Sequence, residues 1–587
     1  MKLMMLPPRP PVVSDPAAPH HFSGARLGRR AFIAGTAGLV AGATLWSGSA
    51  AAAEPGASYF EAVDPRRLCD TRARAGLPVG FGYERLDDRI IRVRITGTAG
   101  IPADAVAAVL TVTGVGGGVV NYLSAFPAGE GWPGTSTVNM APTDTAVANL
   151  ATVKLGGGAV DVLAYAPCDV IVDIVGVYRP TSSAVAAGRL VAFPAAVRAL
   201  DTRLGAKPGA GAVVNVNLNG LVPSGAIAVV ATLTAVDSAG IGYVTAYPRG
   251  SGLPDTSNLN LGPGQTRAVG VITKLGSSGG ITGVDLYTYN GAHLLFDVVG
   301  YMTGSSDASS TDGLFVPITP TRMLDTRTDE LRLWNGWTRQ FELPAPINTR
   351  AQAIAMNLTV TGTVGNSGYY TLFAAQTPRR EVSNLNVTGS GQTIANHAIS
   401  RISDRGVACY SYEVGHIICD VTGWYTGSPA RATTGPPVNP PPPGGPIPWL
   451  LQVPRLGLTQ WVVDGDAKRT VDSGRSWHWT GTGLVGQGGN SVMFGHRTEH
   501  GGPYRYQHLL RDGDLAYVYT SDGRRYTYSK GAESITSKYS PDILAATRRL
   551  GGETISMVSC SRPNRLPTSL EHRLVTTFRF VGWEDLG

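Results

Sequence analysis

Apolar positions along this chain fall in short runs, some alternating with polar residues and some unbroken, and turn-forming residues separate them. "NYLSAFP" (Asn121–Pro127) and "GYVTAYP" (Gly242–Pro248) are of this kind, as is the longer "RLVTTFRFVGW" (Arg573–Trp583). Runs of this length and period predict strands, and sustained helical periodicity is scarce. "LAYVYTSDGRRYTY" (Leu515–Tyr528) reads as two strands around Asp522-Gly523, a residue pair suited to a two-residue hairpin turn. Asn290-Gly291 is a second such turn. The pattern predicts an all-β chain.

The runs repeat. "RLCDTR", "RALDTR" and "RMLDTR" begin at Arg67, Arg198 and Arg322. "NYLSAFP", "GYVTAYP" and "GYYTLFA" follow at Asn121, Gly242 and Gly368, then "STVN", "SNLN" and "SNLN" at Ser136, Ser257 and Ser383. "CDVIVDIVGVY", "AHLLFDVVGYM" and "GHIICDVTGWY" close the units without a gap. Three copies of a β-sandwich or barrel module of about 120 residues are expected, at 57–180, 186–303 and 312–426. They resemble β-modules repeated in exported actinobacterial proteins. The Asp-Thr-Arg motif invites a ligand-site reading. An Asp or Thr capping a turn and an Arg closing an ion pair on the sheet rim is the favoured one, because no His, Cys or carboxylate cluster recurs beside it. "GPPVNPPPPGGPIP" (Gly435–Pro448) ends the periodicity. Consecutive prolines favour an extended rod, so 427–448 is expected to be a spacer. A last β domain, 449–587, follows.

With 587 residues the chain exceeds one hydrophobic core, and high glycine (75) and proline (40) suit a turn-rich protein. The net charge of +7 is spread diffusely, so nucleic-acid binding is not expected. In "GRRAFIAGTAGLVAGATLWSGSAAAA", Arg29 and Arg30 precede a mild apolar run that small residues follow. This resembles a twin-arginine signal peptide over 1–53, cut near Ala53, with an uncleaved anchor as the alternative. The mature chain is therefore expected outside the cytoplasmic membrane, in the envelope or beyond.

There are five cysteines. Cys69 and Cys168 share the first module and Cys409 and Cys419 the third. In an oxidising compartment two disulfides are expected. Cys560 is left over, either an unpaired core thiol or a reactive one. A nucleophilic cysteine needs a base or cationic partner. His496 ends the strand-like "SVMFGH" and opens the polar loop "RTEHGGPY", a usual place to present a side chain at a site rim. His500 suggests a metal pair with His496, but "HRTEH" lacks helical periodicity and no third ligand is apparent in the sequence. A metal site is not expected, and no cofactor is implied.

"LQVPRLGL" (Leu451–Leu458), "SGRSWHWTGTGLVGQGGNSVMFGHRTEHGGPY" (Ser473–Tyr504), "LLRDGD" (Leu509–Asp514), "TISMVSC" (Thr554–Cys560) and "HRLVTTF" (His572–Phe578) follow one another in the order found in sortases. The segment 449–587 resembles that family, most of all its class E and class D members. The resemblance implies a closed β-barrel, with Cys560 as nucleophile, His496 as general acid/base and Arg573 as the cation that steadies the oxyanion. Arg562 and Arg565, in a longer Cys-to-Arg segment than class E usually has, are alternatives for the last role. The implied reaction is transpeptidation on a Leu-Pro/Ala-x-Thr-Gly sorting signal. Its partners would be sorting-signal-bearing surface proteins and an amine acceptor on a cell-wall precursor or a protein lysine. "LPTSL" (Leu566–Leu570) lacks the glycine, apolar tail and basic end of such a signal. The rival expectation is a surface-binding protein whose repeats hold an envelope ligand and whose last barrel is vestigial. A secreted thiol hydrolase stands third.

Overall fold

Alternate residues of Trp449–Val453 are buried, the two-residue period of a strand with one face in a core. This rule builds nearly all of the structure, a computed structural model that describes residues 52–72, 82–98, 100–116, 118–328, 332–333, 335–365, 367–437, 447–539, 553–566 and 571–586. Nearly all of the expected signal segment and the four consecutive prolines Pro440–Pro443 of the spacer lie outside the described residues. Helix among the described residues is limited to Ile347–Arg350, Ala467–Asp472 and three single 3-10 turns.

Three stretches share one layout. In the first, the strands Ser58–Asp70, Asp169–Pro180, Ala107–Val115 and Ala146–Lys154 lie side by side in that order. Leu190–Asp201, His293–Met302, Ala228–Val236 and Arg267–Lys274 repeat it, as do Phe315–Asp325, His416–Thr426, Ala351–Thr361 and Ile394–Arg401. A second sheet packs on each, forming a sandwich with its own apolar core. The Arg-x-x-Asp-Thr-Arg motif lies at paired register shifts in every copy. Its first arginine reaches across to the closing strand, with Nε 2.9 Å from Asp173, 2.8 Å from Asp297 and 2.9 Å from Asp420 in the three copies. Its last arginine bonds the motif's own aspartate, and in the second copy Arg203 holds Asp201 down at about 2.

The outer faces of these sheets are also covered. Ala107 and Val109, Ala228 and Val230, and Ala353 and Ala355 occupy equivalent positions and join one further buried cluster with Phe60, Tyr178, Phe315 and Tyr425. The first and third sheets also meet edge to edge at Ser58 and Phe315, giving eight continuous strands. Polar groups lock a separate junction between these two modules, where Ala146–Lys154 meets Ala351–Thr361 and Ile394–Arg401 from the far ends of the sheet. Asn149 Nδ2 donates to Asn357 Oδ1 at 3.0 Å, and Asn149 Oδ1 accepts the backbone N–H of His397 at 3.0 Å. His397 Nε2 stands 3.1 Å from Thr152 Oγ1. Buried partners of this kind tolerate little slippage, because a shift would orphan them.

His397 makes the junction sensitive to acid. Burial holds its imidazole down at about 4, whereas an unfolded histidine takes up its proton near 6.5. Between these values the unfolded chain binds the extra proton, so stability is lost as pH falls from about 6.5 to about 4. The window is worth on the order of 3 kcal/mol. The urea midpoint should drop across it, and His397→Gln should flatten the drop. An equally steep drop in the variant would contradict this account.

The two expected disulfides are a correction. All five cysteines are free thiols. Cys69 is opposite Val172 in the ladder, four residues from Cys168. At about 3.3 Å per residue that offset is roughly 13 Å, beyond the ~7 Å limit of a bridge. Cys409 and Cys419 do not neighbour each other on one sheet. Cys409 pairs with Arg339 and Leu372, and Cys419 pairs with Leu324 and Leu358 on the facing sheet. Both are wholly buried and pack as small apolar side chains.

The last stretch is a closed barrel of eight strands. In order around it these are Trp449–Val453, Leu458–Val463, Ser476–His478, Asn490–Phe494, Thr554–Ser561, His572–Asp585, Arg524–Ser537 and Leu515–Tyr519, which returns to Trp449–Val453. Leu458–Val463 runs parallel to Ser476–His478, and Asn490–Phe494 parallel to Thr554–Ser561; the other pairs are antiparallel. Leu451, Met493, Val518, Tyr526, Ile555 and Phe578 fill the interior.

Candidate active site

Thr554–Ser561 is flanked by the two strands that carry the other candidate residues. On one side Cys560 is the direct antiparallel partner of Arg573. On the other, the parallel ladder pairs Asn490 with Thr554 and runs to Phe494 with Val558. The next N–H, that of Gly495, donates to the Val558 carbonyl. Continued one residue, the same register brings His496 level with Cys560. The three residues predicted from sequence therefore stand at one rim of the barrel, Cys560 and Arg573 on adjacent strands and His496 two residues past the end of the third, and all three are half-buried. Neither alternative arginine has this position. Arg565 is in the following loop, with its Nε 2.7 Å from Glu533 Oε1, and Arg562 is exposed in the same turn.

The chain before His496 needs a glycine. A Cβ on Gly495 would come within 3.0 Å of the Tyr504 ring, which is wholly buried and accepts a hydrogen bond from Ser476 Oγ. After His496 the loop folds back, and the Tyr504 N–H donates to the His496 carbonyl at 2.9 Å. His496 Nε2 is 3.0 Å from Asp472 Oδ1. Asp472 ends the helix Ala467–Asp472, whose start Asp466 caps by accepting the Arg469 N–H. Lys468 on the same helix, and then His496, hold the Asp472 carboxyl down at about 2.

Sequence reasoning missed the supports beneath the rim. Arg497 is 1% exposed, and its Nη1 donates to the carbonyls of Cys560 at 3.1 Å and Arg565 at 3.0 Å. It thus ties the nucleophile strand to the loop that follows. Burial lowers its pKa from the usual arginine value, but a guanidinium stays charged at neutral pH. Its Nη2 is 2.9 Å from His508 Nδ1. A guanidinium only donates, so Nδ1 is the acceptor and the His508 proton is on Nε2. Gln507 is wholly buried; its Nε2 donates to the Met557 carbonyl and Thr576 Oγ1, and its Oε1 accepts from Ser559 Oγ. It therefore braces the two strands that present Cys560 and Arg573. The signals were an arginine directly after His496 and a glutamine in an aromatic loop, neither of which has a periodicity.

A cysteine between a histidine and an arginine, on a strand end above an apolar interior, has the parts for acyl transfer: a sulfur nucleophile, a proton carrier and a fixed cation. A family model points the same way. Residues 451–580 match the family model described as the sortase domain. Sortase SrtE1 of Streptomyces coelicolor is 34% identical over 79 residues, which are 12% of this chain and 22% of that protein. The chain thus spans less than a quarter of that curated relative. Among solved structures, the SrtA sortase from Actinomyces oris is similar at 20% identity, over 25% of this chain and 89% of that one, with a TM-score of 0.23. Sortase E1 from Streptomyces coelicolor, solved with a tripeptide in its active site, is similar at 23% identity, over 24% and 90% of the two chains, with a TM-score of 0.22. The C-terminal barrel of this chain thus matches the sortase domain over residues 451–580.

Proposed function

We propose that the chain is an exported sortase, a cysteine transpeptidase of the class E or D kind. The observation that carries this reading is that Cys560 and Arg573 are cross-strand partners and that His496 follows directly from the strand on the other side of Cys560, inside the matched domain. The Cys560 thiolate attacks the threonine carbonyl of a Leu-Pro/Ala-x-Thr-Gly signal, forming a C–S bond. Arg573 steadies the oxyanion. The C–N bond to glycine breaks as the leaving amine takes a proton from His496. An amine on a cell-wall precursor or a protein lysine then attacks the thioester and gives its proton to His496, and the thiolate departs. The test is the full mature chain against a panel of sorting peptides, with and without an amine. Ligation that depends on the amine supports a transpeptidase. Cleavage indifferent to the amine would favour the thiol hydrolase, and no turnover on any peptide would count against both. Export rests on Arg29 and Arg30; their joint change to lysine should retain the chain in the cytoplasm, and unchanged export would contradict this route.

A second role, held by the repeats, is favoured by a recurring cleft. Arg67 and Arg72 face Tyr243 and Asn260 across a space of about 450 Å³. Arg322 and Arg327 face Tyr122 and Asn139 across a corresponding one of about 220 Å³. Each repeat also carries a stacked tyrosine pair, Tyr122–Tyr165, Tyr243–Tyr289 and Tyr369–Tyr412. Flat rings beside fixed polar groups suit an envelope saccharide. Calorimetry with soluble cell-wall polysaccharide should give heat that Tyr243→Ala reduces; absence of heat would remove this role.

A further inference from the structure

His500 has no part in the reaction above, yet the loop folds it onto His496. Its φ is +50°, in the left-handed region, and the Gly502 N–H donates to the Glu499 carbonyl just beyond it. The two imidazoles come to 5.0 Å between centroids, tilted by 31°. Asp472 supplies the third group from the distant helix. Its Oδ1 is 3.0 Å from His496 Nε2 and 3.6 Å from His500 Nε2. One ligand atom from each residue falls within 4.8 Å of the other two.

We propose that Asp472, His496 and His500 form a binding site for a borderline divalent cation, zinc above all, and that zinc bound there reversibly inhibits the enzyme. Ligands about 2.0–2.1 Å from a tetrahedral zinc ion are roughly 3.3 Å apart. The two oxygen-to-nitrogen separations bracket that value, and the two imidazole nitrogens, within 4.8 Å of each other, close to it by side-chain rotation. Two imidazoles and one carboxylate suit zinc and disfavour magnesium, which prefers an octahedral shell of oxygens. His500 is exposed, which leaves the fourth position open to water. Lys468 bonds the other carboxylate oxygen, Oδ2, at 2.5 Å and leaves Oδ1 for the metal. Inhibition rests on the reading of His496 as proton carrier: a coordinated Nε2 can neither give nor take a proton. The site itself does not rest on that reading. The sequence alone argued against it because "HRTEH" is not helical and the third ligand is 24 residues before His496.

The test separates the two parts. Zinc chloride is titrated by calorimetry into chelator-treated Cys560→Ala chain, which removes the sulfur as a competing ligand. One equivalent should bind, and His500→Ala in that background should lose it or weaken it at least tenfold. Magnesium chloride should give no such heat. In chain with Cys560 present, His500→Ala should keep its peptide cleavage and lose its zinc inhibition. Equal zinc binding with and without His500 would overturn the site. His500-dependent binding with undiminished cleavage in zinc would overturn the inhibition. Failure of the sortase reading would show separately, as absent cleavage before any metal is added.

Discussion

Cys560→Ala is expected to reduce sorting-peptide cleavage to the uncatalysed background and to prevent any covalent acyl intermediate. The other four cysteines offer no substitute. Cys69, Cys409 and Cys419 are buried, and Cys168 is in the first repeat. Burial pushes the Cys69 thiol up to about 12, and those of Cys409 and Cys419 are also raised, so none is ionised at neutral pH. The barrel should survive the change. Cys560 is half-buried at a strand end, and the hydrogen bond that Arg497 makes there goes to its backbone carbonyl, which alanine keeps. Matching thermal midpoints beside lost activity are therefore expected. Full activity in Cys560→Ala would end the sortase reading.

The next largest losses should fall on the two flanking strands. His496→Ala should lower kcat/KM by about 10²–10⁴-fold, the usual worth of a positioned general acid and base. Arg573→Ala should lower it by about 10²–10³-fold, as for one lost oxyanion donor. Arg573→Lys should recover little, because an ammonium lacks the planar fork of a guanidinium. Arg562→Ala and Arg565→Ala are the internal controls. Only Arg573 is cross-strand to Cys560, and Arg565 is committed to Glu533. Peptide cleavage measured across this set should therefore rank His496 and Arg573 far ahead of the loop arginines. A loss for Arg565→Ala equal to that for Arg573→Ala would reassign the oxyanion role.

What could be seen in the sequence was whatever a strand's local pattern encodes. "TISMVSC" and "RLVTTFRFVGW" are adjacent strands of the barrel, and Asp522-Gly523 turns the hairpin between Leu515–Tyr519 and Arg524–Ser537. What escaped depends on contacts between distant segments. The central core of the repeats includes Ala107, Ala228 and Ala353, small residues that carry no signal until three sheets face one another. The cysteine pairs were mistaken because sharing a module does not fix sheet or register. Asp472 could not be matched to His496 because nothing in a six-residue helix says which loop will cover its end. Arg497 looked like one more polar loop residue, and only the fold turns it inward beneath Cys560.

The proposed reaction requires that Cys560 carry the acyl group. The direct measurement is intact-mass and peptide-mapping spectrometry of the chain, acid-quenched during turnover of a Leu-Pro/Ala-x-Thr-Gly peptide without an amine acceptor. The account predicts one adduct with the mass of the fragment ending at threonine, located on Cys560 and released by hydroxylamine. Peptide processing with no adduct on Cys560, or with an adduct on another residue, would contradict it.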